Sequence, residues 1–446
     1  MSLARHLMVD FNQMKAFVDD PLVLERGSGI RVTDTQGRTY IDGLSGVFTS
    51  NLGHANEEII AAVTAQLGRL AFGAPTMATT STALALVERI LELVPPPFTT
   101  MKFLSGGSEA TESAIKLARQ YHRQRGAVGR YKILSHYRGY HGGTGHALAA
   151  SGWAGWKVPF EPLAPGFIHL HTPDPDDPPF PASDPEAAAR TYLELVRETI
   201  ELEGPETIAA IISEPILMSA GVVVPPDTYL RGLRDLCDRH GILLIFDEII
   251  TGFGRTGTWF AAQHVGAWPD IVCCGKGVTG GYSPLSVVLM TDRVAEAFWG
   301  EPEDRVQFWS GHTYGGNPVA CSAALAAIDY IVRHGVLAHV VESGSRLRTL
   351  LDELQARHPG IAVVRGRGLL QGIVFGDAAQ AGIADHRGFG GAVATAARGR
   401  GLLLRASPWF VALGPPLVTT GAELDEIAGI LDAAVGVAEA QAGVAP

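Results

Sequence analysis

Asp247 and Lys276 are the two side chains of this sequence best placed to do chemistry. Each stands at the end of a short apolar run, Ile242–Phe246 and Ile271–Cys274, within the stretch Gly241–Gly281. Runs of this kind, bounded by turn residues, predict parallel strands covered on both faces. In an open α/β sheet, ligands sit outside the carboxyl ends of the strands. An acid and an amine delivered there form either a structural ion pair or two working groups on one ligand. Other strand ends add candidates. Met101–Leu104 predicts a strand, and Ser105-Gly106-Gly107-Ser108 turns it into a helix over Glu109–Arg123. Such a helix start aims free N–H groups and a positive dipole end at one point, and glycine lets a phosphate approach the backbone. A plain capping turn has the same local pattern. Tyr131–Ser135 leads to Tyr140 and His141, which suit the face of a flat ligand or fill a core. Ile208–Ser213 ends at Glu214.

The elements that must position these residues alternate. Helices are predicted over Glu57–Gly68, Ser81–Val94, Pro185–Glu203 and Pro226–His240, with strands between them. This order predicts an α/β fold with a mostly parallel sheet and right-handed crossovers. A further strand, Leu285–Met290, and the turn Gly311–Asn317 lead to an Ala-rich helix over Pro318–His334. The remainder reads as an α+β lobe: a helix over Val341–His358, strands Ile361–Arg365, Leu369–Phe375 and Gly401–Arg405, and a helix over Leu424–Ala440. A hairpin, Ile30–Thr33 and Thr39–Ile41, opens the chain. The expected division is residues 1–60 and 331–446 in a small domain and residues 61–330 in a large one. The proline-rich acidic stretch 172–185 is expected to be a surface excursion. Asp42–His54, glycine-rich beside Phe48, either lines a pocket or merely crosses between domains.

A length of 446 residues favours such a two-part build. A net charge of −11 argues against nucleic acid or an anionic membrane as the main partner. No apolar run is long enough to span a bilayer, and the first residues lack the apolar core of a signal peptide. Four cysteines without framework spacing read as thiols in a reducing, cytoplasmic setting.

Several chemistries lack their motifs. No G-x-G-x-x-G follows an early strand, no P-loop is present, and the histidines lack metal-ligand spacing, so no metal site is expected. A phosphate cup, an aromatic, a carboxylate and a lysine at one sheet edge match the needs of pyridoxal 5′-phosphate. Lysine can form an imine with its aldehyde, and a carboxylate can keep its ring nitrogen protonated.

Over essentially its whole length the chain resembles the class III (subgroup II) pyridoxal-phosphate aminotransferases. Ser105-Gly106-Gly107-Ser108-Glu109-Ala110, Tyr140-His141-Gly142, Glu214-Pro215, Asp247-Glu248-Ile249, Thr251–Gly257, Gly275-Lys276-Gly277 and Gly311–Tyr314 occur in family order. The resemblance implies fold type I, aspartate aminotransferase-like, with the active site at a homodimer interface and dimers that can pair into tetramers. It implies Lys276 as the imine-forming and proton-moving residue, and Asp247 at the pyridinium nitrogen. Ile249 and Tyr140 would sandwich the ring, beside His141. Gly107 and Ser108 would hold the phosphate, joined by Thr313 of a second subunit, and Glu214 would support the site from behind.

Departures narrow the branch. Members acting on 4-aminobutyrate or ornithine usually carry an arginine where Gly143 stands, a glutamate at Ser219 and a glutamine at Ile250. Gly401–Arg405 and the following Ala406–Leu417 are instead similar to the ω-amino acid or amine:pyruvate transaminases. That branch implies Arg405 as a mobile partner for a substrate carboxylate, with Phe48 and Trp409 shaping an apolar pocket; a surface arginine on a strand end is the plainer alternative. The expected reaction is ping-pong transfer from a primary amine or ω-amino acid to a 2-oxo acid, pyruvate first. An aminomutase, a decarboxylase, a 2-oxoglutarate-dependent aminotransferase and a non-catalytic cofactor-binding protein are the other readings.

Overall fold

The structure is a computed structural model that describes residues 3–383 and 386–444. The outer ends of the 1–60 and 331–446 segments therefore lie outside it. Three antiparallel strands come first, β1 (Leu24–Ser28), β2 (Arg31–Asp34) and β3 (Thr39–Asp42). Asp34 sets the β2–β3 turn by accepting the N–H groups of Gln36 and Arg38, both at 2.9 Å.

The central sheet has seven strands: β4 (Phe98–Leu104), β5 (Lys132–His136), β6 (Phe167–Leu170), β7 (Ile208–Ser213), β8 (Leu243–Asp247), β9 (Ile271–Cys274) and β10 (Ser286–Thr291). Their order is β4-β10-β9-β8-β7-β5-β6, and only β10 runs against its neighbours. Strands β7, β8 and β9 are buried at every residue, as their uninterrupted apolar runs require. Side chains alternate between faces. Leu243 and Ile245 pack with Ala110, Ala114 and Leu117 of the helix Gly107–Gln124. Leu244 and Phe246 pack on the other face with Tyr192 and Val196 of Pro185–Glu203 and with Leu233 of Asp227–His240.

The C-terminal part adds β11 (Ile361–Arg367), β12 (Leu370–Phe375), β13 (Leu402–Leu403), β14 (Arg405–Ser407) and β15 (Phe410–Leu413). The single strand expected over Gly401–Arg405 is in fact two. β13 pairs in parallel with β3 and completes the N-terminal sheet, whereas β14 pairs with β15 at the edge of a sheet ordered β11-β12-β15-β14. The chain changes sheets at Leu404, because Ile41 holds Gly401 by an N–H···O bond of 2.7 Å while Arg405 is in register with Ala412. Segments from both chain ends share one core, with Ile30 and Ile41 packed among residues such as Leu402 and Leu431.

A second expectation is corrected. The 172–185 stretch is not wholly at the surface, because Asp174 is buried and paired with Arg365 Nη1 at 2.7 Å. A buried guanidinium needs a charged partner, and this one comes from a distant acidic run. Strand β6 and the helix Gly388–Arg398 lack strong sequence patterns and are additional to the expected elements. Among the described residues, no single helix is long and apolar enough to cross a membrane.

Candidate active site

β4, β5, β7, β8 and β9 point the same way, so their carboxyl ends emerge along one edge of the sheet. From that edge Gly107, Ser108, Tyr140, His141, Glu214, Asp247, Ile249 and Lys276 all line one cleft. Residues spread over 170 positions of sequence thus meet because parallel strands end side by side.

Lys276 follows β9 after a single glycine and has a left-handed backbone, φ 43°. A non-glycine residue there costs about 1–3 kcal/mol and is held in place only by its surroundings. Its amine has no hydrogen bond or ion pair among the described residues and borders the cleft. Burial pushes the lysine pKa down, against the opposite pull of Asp247 and Glu214. Asp247 ends β8 and is buried. Its Oδ2 lies 2.8 Å from His141 Nδ1, and its Oδ1 accepts the Ile249 N–H at 3.1 Å. Burial opposes charge on His141, but the bond to Asp247 overrides it and the imidazole pKa is raised. Glu214 accepts the Tyr140 N–H at 3.0 Å. Burial lifts its carboxyl to about 7, with His141 opposing.

The helix Gly107–Gln124 begins after an extended Gly106 with no capping side chain, so its first N–H groups remain available to an anion. Two glycines allow close packing around it. A Cβ on Gly107 would lie 3.1 Å from Ile249 Cγ2, and one on Gly142, at φ 132°, would lie 2.6 Å from Ser108 Oγ. Tyr140 is braced by Trp156 and Phe11, whose ring centroids lie 5.1 and 6.4 Å away in edge-on geometry.

A second cleft adjoins the first and shares Tyr140, Ile250 and Lys276 with it. Phe48 and Arg405 line this second cleft, as do Phe11, Trp156, Met218 and Ser219. Arg405 has no ion pair among the described residues, and burial pushes its pKa down. Trp409 lines neither cleft; it belongs to a third, next to Arg405. Thr313 stands in an exposed turn and lines none of the three. Phe11, Trp156 and Met218 escaped the sequence reading. The only available signal was the pair Trp153 and Trp156, three residues apart in a glycine-rich loop.

An unpartnered amine, a hydrogen-bonded buried carboxylate, a flanking aromatic and a free helix start can together hold an anionic, ring-bearing carbonyl compound. The family model "Aminotransferase class-III" matches residues 14–435. The chain belongs to this family. Class III aminotransferases are pyridoxal-phosphate-dependent transferases of fold type I, and this chain shares that fold. It is 41% identical over 361 residues to the uncharacterized aminotransferase YhxA of Bacillus subtilis (strain 168), covering 79% of this chain and 77% of that protein. It is 35% identical over 419 residues to the taurine–pyruvate aminotransferase of Bilophila wadsworthia (strain 3_1_6), covering 92% and 91%. An amine transaminase of an uncultivated Pseudomonas species, solved in its PLP-bound form, superposes with a TM-score of 0.91 at 34% identity, covering 96% of this chain and 98% of that one.

Proposed function

We propose that this class III aminotransferase is an ω-transaminase, moving an amino group from a primary amine or ω-amino acid to a 2-oxo acid, with pyruvate as the acceptor. The observation that carries the reading is the unpaired Arg405 guanidinium in a cleft shared with the Lys276 amine. The chain's residues fit pyridoxal phosphate: the uncapped helix start suits its phosphate, the cleft lined by Tyr140 and Ile249 its ring, and the Asp247–His141 pair its ring nitrogen. When bound, the cofactor supplies a carbonyl that takes up the amine and a ring that accepts the electron pair left at the substrate Cα.

With the cofactor bound, Lys276 would take up and hand on the proton of the substrate Cα. Its lowered pKa leaves more of the amine neutral near pH 7, as a general base requires. Asp247 would keep the ring nitrogen protonated, and His141, bonded to its Oδ2, orients Asp247. Tyr140 and Ile249 would flank the ring, Gly107 and Ser108 would hold the phosphate, and Glu214 fixes the Tyr140 backbone. Thr313, exposed on its own chain, completes the phosphate site of a second copy, which makes a homodimer the working unit, whether or not dimers pair. Arg405 swings toward a substrate carboxylate, which a guanidinium binds bidentately, and away for an apolar amine. Phe48 walls the cleft. The four cysteines are free and buried, which suits a cytoplasmic enzyme.

The gating pair of 2-oxoglutarate users lacks support here. Ser219 lines the Arg405 cleft, and no carboxylate pairs with Arg405 among the described residues. The test is spectral. The purified holoenzyme should convert to its pyridoxamine form when an amine is added and revert with pyruvate faster than with 2-oxoglutarate. No conversion with any amine sinks the reading; faster reversal with 2-oxoglutarate, or carbon dioxide release, moves it to another branch.

A further inference from the structure

Lys276 opens a single turn of 3₁₀ helix, Lys276–Thr279, which Gly280 and Gly281 close at φ 62° and 89°. So short a turn carries few bonds of its own, and what packs behind it fixes where the amine points. Three successive residues of the N-terminal segment stand there. A Cβ on Gly281 would lie 3.1 Å from Ser50 Cα, and one on Gly280 3.5 Å from Leu52 Cβ. Asn51 is closest of all. A Cβ on Gly277 would lie 2.1 Å from its Nδ2 and 3.0 Å from its Cγ. Gly277 itself is outside the left-handed region, so among the described residues only Asn51 stands against a side chain at that position.

Asn51 is not free to move aside. It is fully buried, its N–H donates to Thr49 O at 2.8 Å, and its carbonyl accepts the Leu417 N–H at 2.7 Å. Its Oδ1 accepts from Nη2 of Arg255. That guanidinium is also fully buried and donates to Leu369 O at 3.1 Å, Pro415 O at 2.5 Å and Ser45 Oγ at 3.2 Å. Because arginine can only donate, it takes the amide oxygen and leaves Nδ2 toward Gly277. The Nδ2 atom is buried with no acceptor among the described residues, so the amide bears on the turn by its shape. Arg255 lies in the run that leaves β8 after Asp247. The loop beyond the carboxylate thus pins the residue behind the lysine.

We propose that Asn51 is a positioning residue: its amide, pinned by Arg255, is the seat of the Lys276 turn and fixes where the amine meets its reaction partners. This rests on the reading of Lys276 as the residue that bonds the cofactor. The experiment is a double-mutant cycle on Gly277→Ala and Asn51→Ala with two readouts. One is the saturating rate and apparent Kd of the holoenzyme's half-reaction with an amine. The other uses cofactor-free protein: pyridoxal phosphate is added, borohydride fixes it at timed intervals, and peptide masses give the rate at Lys276. Gly277→Ala should lower both rates about 100-fold with the apparent Kd within about threefold, as a misplaced but intact amine requires. Asn51→Ala should lower both about tenfold. The double variant should return to within about threefold of Asn51→Ala alone, because the alanine Cβ then has room. Wild-type rates in Gly277→Ala, or losses that simply add in the double variant, overturn the seat alone. Either single variant decides where the other does not fold, since wild-type rates in it overturn the seat. Cofactor fixed to a lysine other than Lys276 in the wild type overturns the reading beneath the proposal and the proposal with it.

Discussion

The carboxyl edge of the central sheet and the clefts leading away from it are built on different principles. At the edge, Asp247, Lys276 and Glu214 stand at or just beyond the ends of strands buried at every residue, and each backbone is held by a hydrogen-bonded ladder. In the outer clefts, Phe11, Phe48, Trp156, Arg405 and Trp409 come from turns, a kinked segment, a one-turn helix and a short edge strand. The first region can hold reacting groups within a fraction of an ångström. The second can change from one relative to another without disturbing the first. The lesson is a division of labour: strand ends set the reaction, and loops set what reacts.

This contrast can be broken in three places. The largest effect belongs to Lys276→Ala. Removing the amine that moves the proton should lower turnover by about 10⁴-fold, measured as alanine formed from pyruvate. Activity near wild type would remove the centre of the edge.

Glu214→Gln comes next and asks how dry that edge is. Burial raises the Glu214 pKa from 4.5 to about 7. Between those values the native carboxyl holds a proton that the unfolded chain has lost, so stability falls as pH rises through that window. The loss should be on the order of 3 kcal/mol. Urea midpoints of the cofactor-free protein at pH 5 and pH 8 should converge in the glutamine variant, which keeps the acceptor for Tyr140. An unchanged pH dependence would show that water reaches this carboxyl.

The smallest effect tests the loop side. Arg405→Ala should reduce the pyruvate half-reaction about tenfold more than the half-reaction with 1-phenylethylamine. Equal losses in the two would mean that Arg405 supports the fold rather than meeting a carboxylate.

The same division governed what could be read in advance. Asp247, Lys276, Glu214, Tyr140 and the glycine-rich helix start were legible because apolar runs of four to seven residues ending in polar or glycine residues announce buried parallel strands. Strand β7 and the helix Pro185–Glu203 fall where their patterns put them. The segment Gly401–Ser407 misled, since two short strands in different sheets leave no more trace in the sequence than one longer strand. Trp409, expected with Phe48 to shape an apolar pocket, lines a cleft next to the one that Phe48 lines, near Trp153. Phe11 was read only as the start of a short helical pattern over Phe11–Phe17; it stands in a turn, and its place in the cleft depends on Tyr140 and Trp156, far along the chain.

By itself, then, the order of residues determined the sheet, the family and which residues stand at its carboxyl edge, since each depends on local patterns repeated at successive strand ends. Only the tertiary structure decided that, among the described residues, the Lys276 amine has no partner and Arg405 no ion-paired carboxylate, and that burial lowers the lysine pKa. It also decided that three tryptophans line one cleft next to Arg405. Those properties depend on which distant groups arrive within a few ångströms and how much water they displace, and no local pattern in the chain encodes that.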